Sequence, residues 1–339
     1  MTTSERFYSK IMLFGEYGVL LGSRALTIPY THFMGELSFV YDEKYTDTHF
    51  ALASHKQLES YFEAIKKEVS IRSILNFSAI EKDMENGLYF ESSIPQGYGI
   101  GSSGALVAAL YHRYALEPIP AERGLDAKEI SVLKRTFSVM ESFFHGKSSG
   151  IDPLIAYLKY PLLIMPGENI VPAGIPRQKF EGQAAIFLID SGITGKTQTY
   201  VEAFLEKCKI PSYSDLIREN YIPLVNRCID TLLNGEARPF FEELKKLSEF
   251  QWEHFAGMIP QGFQNAWEKG NEGGHYHLKL CGSGGGGFIL AFTQDYASAE
   301  KQLASQGMTC IPVYYAHSAK AQGENKPRID ILLPLKNEL

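Results

Sequence analysis

The sequence predicts an α+β protein of two domains, residues 1–194 and 195–339, and three observations predict it. Short strand-like apolar runs dominate the first third, at Phe7 to Phe14, Ala25 to Tyr30 and Gly35 to Val40. Two segments with helical spacing follow, one beginning at Ser103 and one near Asp126. Beyond Gly195 helical patterns prevail before strand-like segments return. A chain of 339 residues agrees with two domains at about 100–200 residues each.

In chain order, a helix is expected over Leu58 to Val69, then strands near Leu75 to Ile80 and Leu88 to Glu91. The helix after Asp126, a good N-cap residue, places Ile130, Leu133, Phe137, Met140 and Phe144 on one face and stops at Gly146. Strands are expected at Leu162 to Met165 and Ala184 to Ile189. Helices are expected over Thr197 to Cys208, Ser214 to Leu233 (with a kink at Pro223) and Pro239 to Met258. Strands close the pattern at Tyr276 to Leu280, Phe288 to Phe292, Cys310 to Tyr315 and Ile329 to Leu333. Helices over an antiparallel sheet fit this second half.

Composition excludes several classes. With 45% apolar and 21% charged residues the chain is neither disordered nor collagen-like. A net charge of −6 without a basic run argues against nucleic acid or an anionic membrane as partner, although a local site can still oppose that charge and take an anionic substrate. Four cysteines without CxxC pairing do not form a disulfide framework or a zinc site. The start carries charges inside its only apolar stretch, unlike a signal peptide, and no run reaches the ~18–20 residues of a membrane span. A reduced, cytoplasmic, soluble protein is expected.

Glycine concentrates at three places, Gly15 to Gly22, Gly97 to Gly104 and Gly282 to Gly287. The segment Gly192 to Thr197 lacks the four residues that a P-loop needs between its glycines. Gly282, Gly284 and Gly287 fit a dinucleotide fingerprint, but a strand-like run follows where that fold needs a helix. A strand–turn–strand remains, and its glycines imply a backbone that must approach a ligand or a neighbouring loop. The third loop, Pro95 to Gly104, holds Gly97, Gly99, Gly101, Ser102, Ser103 and Gly104 ahead of a helix. Its amides and the helix N-terminus make an anion site suited to phosphates. The two serines can cap the helix, bind phosphate or place a hydroxyl on Mg²⁺.

Glu141 lies eleven residues past Ile130, about 20° around the helix at ~100° per residue, at the edge of the apolar stripe. A carboxylate there is costly unless paired or bound to a cation. Asp152 follows within His145-Gly-Lys-Ser-Ser149-Gly150-Ile-Asp152, a turn able to return it toward Glu141. Lys10 sits inside an apolar strand that leads into Gly15-Glu16-Tyr17-Gly18, which gives it an inward role.

These residues resemble the GHMP kinase superfamily. KIMLFGEYGVLLG, PQGYGIGSSGA and KLCGSGGGG fall in the family's order, and HGKSSGID is similar to the HGxPSGxD of its mevalonate kinases, with a Glu at the matching distance upstream. The resemblance implies an N-terminal domain like domain 2 of ribosomal protein S5 and a ferredoxin-like C-terminal domain. It implies Asp152 as catalytic acid paired with Lys10, and Ser103 and Glu141 as Mg²⁺ ligands. Gly97, Gly99, Gly101, Ser102, Ser103 and Gly104 would hold ATP, and Glu16, Tyr17, Ser149, Gly150, Cys281 and Gly282 the substrate. ATP-dependent phosphorylation of mevalonate or a related hydroxy acid follows, with a homodimer as the family expectation. Departures leave phosphomevalonate or another acceptor as the alternative: Tyr17 replaces a histidine, Gly104 an alanine, Ser148 a proline and Cys281 a threonine. A non-catalytic binding module would be expected to lose charged catalytic residues first, and Lys10, Glu141 and Asp152 are present.

Overall fold

A computed structural model describes residues 5–40, 47–176, 183–195 and 197–315. The architecture is α+β. Its strands are β1 (Phe7–Phe14), β2 (Ala25–Phe39), β3 (Leu88–Ser92), β4 (Leu162–Ile164), β5 (Ile170–Pro172), β6 (Ala185–Asp190), β7 (His277–Leu280), β8 (Phe288–Thr293) and β9 (Cys310–Tyr315). The helices are α1 (Thr48–Ile65), α2 (Val69–Arg72), α3 (Phe77–Glu85), α4 (Ser102–Tyr114), α5 (Ala127–His145) and α6 (Ile151–Leu158) in the first half. They continue with α7 (Thr197–Lys207), α8 (Pro211–Leu216), α9 (Ile222–Asn234), α10 (Ala237–His254), α11 (Gln264–Gly273) and α12 (Tyr296–Ala304). No described helix is long and apolar enough to cross a membrane.

The chain divides into two units. One comprises residues 1–10, 29–95 and 100–160, the other 11–28, 96–99 and 161–339. In the first unit, β2 pairs antiparallel with β3 from Gly35↔Ser92 to Phe39↔Leu88. Helices α4, α5 and α6 pack on one another through a cluster of Tyr111, Phe137 and Tyr157, whose ring centroids lie 5.1–5.6 Å apart. α5 forms where the periodicity places it. Asp126 accepts hydrogen bonds from the Lys128 and Glu129 amides, and the Glu129 carboxylate in turn accepts one from the Asp126 amide, closing a capping box. Leu133, Phe137 and Met140 are fully buried along its inner face.

In the second unit, the start of β2 pairs with β4, and β4 with β5, all antiparallel. A four-stranded antiparallel sheet has the order β7-β8-β6-β9. α10 and α11 pack on β7, and α12 on β9. Phe14, Phe240 and Phe292 meet in its core.

Four details differ from the sequence expectation. The two runs at Ala25 and Gly35 are one strand of 15 residues. α1 begins ten residues before Leu58, because Asp47 caps it by accepting from the Phe50 amide. The strand expected at Leu75 to Ile80 is instead α3. Asn76 accepts from the Ala79 amide and starts a helix, and only Leu75 forms a bridge, to Ala115. Before Pro223 the chain forms a π-helical turn over Ile217–Tyr221, which accommodates a residue without an N–H. The strand expected at Ile329 to Leu333 lies outside the described residues.

Gly104 sits where α4 crosses α6. A Cβ there would lie 2.7 Å from the Asp152 carbonyl carbon and 2.7 Å from the Pro153 nitrogen. Both are backbone atoms and cannot swing aside. Gly104→Ala is therefore expected to destabilise the chain by about 1–3 kcal/mol through overpacking, read as a lower urea midpoint at unchanged slope.

Candidate active site

Five polar side chains converge in the first unit. β1 delivers Lys10, 6% exposed, whose amide bonds to the Ile100 carbonyl. Its Nζ lies 3.1 Å from Asp152 Oδ1. Asp152 stands in the first turn of α6, after Gly150, which takes the left-handed N-cap position with φ 73°. Gly150 lies hard against the α5 backbone at Lys134 and Ser138, so the turn can carry no side chain there. Gly101 caps α4 with φ 84°, and no side chain caps that helix. A Cβ on Gly101 would lie 3.0 Å from Lys10 Cγ and 3.6 Å from Asp152 Oδ2. The start of α4 is thus adjacent to the Lys10–Asp152 pair.

Glu141 is 3% exposed on α5. Ser103 Oγ donates to its Oε1 at 2.9 Å, and Ser148 Oγ donates to its Oε2. Ser148 is itself held, accepting at its Oγ from the Gly150 amide and at its carbonyl from Ser138 Oγ. Burial and the Asp152 charge push the Glu141 carboxyl up to about 7, against the opposing pull of the two serine hydrogen bonds and Lys10. Sequence spacing placed Glu141 at the stripe's edge; the structure buries it.

The oxygen donors Ser103, Glu141 and Asp152 are the hard ligands that Mg²⁺ prefers. Among the described residues no group of three or more His, Cys, Asp or Glu side chains assembles. Two acids with hydroxyls suit a cation that completes its shell with substrate phosphates and water rather than one caged by protein alone. A buried carboxyl raised by a neighbouring acid is also what a divalent cation would relieve. The residues therefore fit Mg²⁺.

A second cluster lies in the other unit. Glu16 and Lys279 form an ion pair at 1% and 0% side-chain exposure, and Lys279 also donates to the Leu280 carbonyl at 2.6 Å. Tyr17, with φ 59° in the left-handed region, donates to the Ser283 carbonyl and packs on Phe204 and Phe255. Tyr221 donates to the Glu16 carbonyl at 2.9 Å. Cys281 is buried at 4% exposure beside Gly282. The glycine turn does connect two strands, β7 and β8. Its backbone approaches neighbouring loops: Gly285 donates to Met258 O and Gly287 to Ile193 O, both at 2.6 Å, and the Tyr200 ring fills the space above Gly285. Gly97 accepts from the Gly195 amide in the same unit.

Thus Lys10, Gly101, Ser103, Gly104, Glu141, Ser149, Gly150 and Asp152 belong to one unit, and Glu16, Tyr17, Gly97, Gly99, Cys281 and Gly282 to the other. Ser102 begins α4 in the first. Sequence reasoning missed Ser148 and Lys279 as site residues. Lys279 carried the same signal as Lys10, a lysine between apolar strand positions. For Ser148, only its place in the Ser-rich turn hinted at a role.

Two family models match the chain: the GHMP kinases N terminal domain over residues 61–159 and the GHMP kinases C terminal model over residues 231–305. Solved structures share the fold. L. major mevalonate kinase in complex with R-mevalonate is 17% identical, with TM-score 0.60, over 94% of this chain and 98% of that one. Streptococcus pneumoniae phosphomevalonate kinase in complex with phosphomevalonate and AMPPNP is 15% identical, TM-score 0.58, over 93% and 99%. Lactococcus lactis galactokinase complexed with galactose is 13% identical, TM-score 0.55, over 93% and 94%. A search of curated proteins returned no match.

The Glu141 shift fixes a pH dependence. A carboxyl held above its unfolded value of 4.5 favours the folded state when protonated. Stability is then highest below pH 4.5 for this group and falls as pH rises to about 7, by about 3 kcal/mol in all. Glu141→Gln, measured without divalent cations, is expected to raise the melting temperature at pH 8 and to change it little at pH 4. An equal shift at both pH values would show that Glu141 is not held in this state.

Proposed function

Because the chain belongs to the GHMP kinase family, whose members are ATP-dependent kinases with hydroxyl acceptors, we propose that it transfers the γ-phosphoryl of ATP to the hydroxyl of mevalonate. The observation that carries this reading is the Lys10–Asp152 ion pair, 3.1 Å long, at the start of α4, whose Ser103 bonds the buried Glu141. A proton acceptor, a compensating cation, an anion-binding helix start and a cation site are then within one small region.

In this reading Asp152 orients the acceptor hydroxyl and accepts its proton late, as phosphoryl transfer passes through a loose transition state that asks mainly for positioning and charge neutralisation. Lys10 offsets the Asp152 charge and adds positive charge beside the phosphates. The amides and glycines from Gly97 through Gly104, with Ser102 and Ser103, hold the ATP phosphates. Ser103 and Glu141 would hold Mg²⁺, which would supply neutralisation of phosphate charge. Ser148 keeps Glu141 turned toward that position. Ser149 and Gly150 shape the turn that presents Asp152, and Glu16, Tyr17, Cys281 and Gly282 are assigned to acceptor binding.

Mevalonate as acceptor is supported by HGKSSGID and by the four consecutive glycines Gly284 to Gly287. Phosphomevalonate is the second reading, favoured by Tyr17 and Gly104, both departures from the mevalonate kinase pattern. Lys147 is exposed and could serve the extra phosphate. Lys196, the other candidate, lies outside the described residues.

A coupled ADP-release assay over mevalonate, phosphomevalonate, galactose and homoserine tests this. Turnover is expected with mevalonate, and Asp152→Asn is expected to lower kcat by about 10²–10⁴-fold with little change in ATP affinity. Turnover with phosphomevalonate alone would move the assignment to the second reading. Near-normal turnover in Asp152→Asn would remove Asp152 from its role, and no turnover with any acceptor would favour a binding protein.

A further inference from the structure

A cleft of about 210 Å³ lies wholly in the second unit, between the start of α10 and the outer ends of β7 and β8. None of Lys10, Ser103, Glu141 or Asp152 lines it. α10 contributes Arg238, Phe241, Glu242 and Lys245, whose spacings of three, four and seven residues place them on one helix face. The strands contribute His277 and Phe292, which stand opposite each other in the antiparallel register. Phe292 packs on Phe240 of α10, so this sheet face looks toward that helix.

His277 is the unexplained residue of this cleft. It is 6% exposed, and its buried Nδ1 has no hydrogen-bond partner among the described residues. A buried polar atom left so costs stability, and retaining one points to a partner supplied from outside. Burial and the Lys245 charge push its imidazole down to about 4, so near neutral pH the ring carries one N–H and no charge. Of the two cations, Arg238 is matched by Glu242, with Nε 3.0 Å from Oε1. Lys245 is held more loosely, 3.8 Å from Glu249. An acceptor group between Lys245 and His277 would satisfy both. Phe241, Tyr276 and Phe292 supply apolar surface next to it.

We infer that this cleft is a second ligand site, which takes the oxyanion head of a small amphiphilic anion between Lys245 and His277 and its apolar body against Phe241 and Phe292. The site is independent of the phosphoryl-transfer reading, because it shares no residue with it.

The test follows the His277 ring nitrogens by NMR in the full-length protein, with phenyl phosphate, benzoate, inorganic phosphate and benzyl alcohol as probes. A saturable shift of the His277 nitrogen signals is expected with phenyl phosphate or benzoate at up to about 10 mM, a weak-ligand range. Whichever of the two binds identifies the head group. Lys245→Gln, an exposed substitution, is expected to weaken that binding by about tenfold, the effect of one hydrogen bond to a charged group. Benzyl alcohol, which lacks the charge, is expected to leave His277 unmoved, and inorganic phosphate to bind more weakly than the aromatic anions. The inference falls if neither aromatic anion shifts His277, if Lys245→Gln binds them as well as the parent chain, or if benzyl alcohol competes equally. Because Lys245 lies at the surface, Lys245→Gln tests the site without disturbing the buried His277.

Discussion

Two carboxylates and one ammonium meet in the first unit, Glu141 and Lys10 buried and Asp152 partly exposed, and the site depends on keeping that arrangement neutral enough to bury. Burial weighs most on the Glu141 carboxyl, with Asp152 close enough to repel it. Lys10 stands between ruin and balance for the pair, since it bonds Asp152 directly and also draws on Glu141. An isolated buried charge is unstable, but a compensated one that still has capacity for another cation is a binding site. The remaining features of this unit hold the three groups at that balance.

Backbone proximity is one of those features. α4 and α6 approach so closely at Gly104 that an alanine methyl would meet the Asp152–Pro153 peptide. Alanine stands here in the motif that this loop resembles, and the observed approach of the two helices leaves no room for its methyl. Ser148 is the second local departure. Where proline is frequent in relatives, this chain has a hydroxyl that bonds the buried carboxylate and is anchored by Gly150. A proline could supply the turn but not that hydrogen bond.

Much of this was legible in the sequence, because the informative residues obey local rules. The 3,4 spacing of Ile130, Leu133, Phe137 and Met140 defined α5, and Asp126 and Gly146 defined its ends. A lysine inside an apolar strand and a carboxylate at the edge of an apolar stripe both signalled inward-facing charge. What escaped was set by non-local or competing interactions. Leu75 to Ile80 has strand composition, yet the Asn76 cap makes it helical. β2 has no turn at Pro29 or Gly35 because its two halves pair with different partners, β4 and β3. Lys279 carried the strand-lysine signal of Lys10 and Ser148 only its place in a Ser-rich turn, but what each does is defined by a partner, Glu16 or Glu141, that only the folded chain brings near.

The route of the chain between its units has a consequence for how it is made. Residues 11–28 and 96–99 belong with the unit that ends at 339, while both neighbouring stretches belong to the other. Two of the passages occur inside strands, β1 and β2, and three in the loops before α4 and β4. No single cleavage can release either unit whole. On the ribosome, the segment 11–28 emerges early and must wait for β4, and then for the four-stranded sheet, before its unit is complete. The second unit therefore stays incomplete for most of synthesis, a state that leaves strand edges without their final partners.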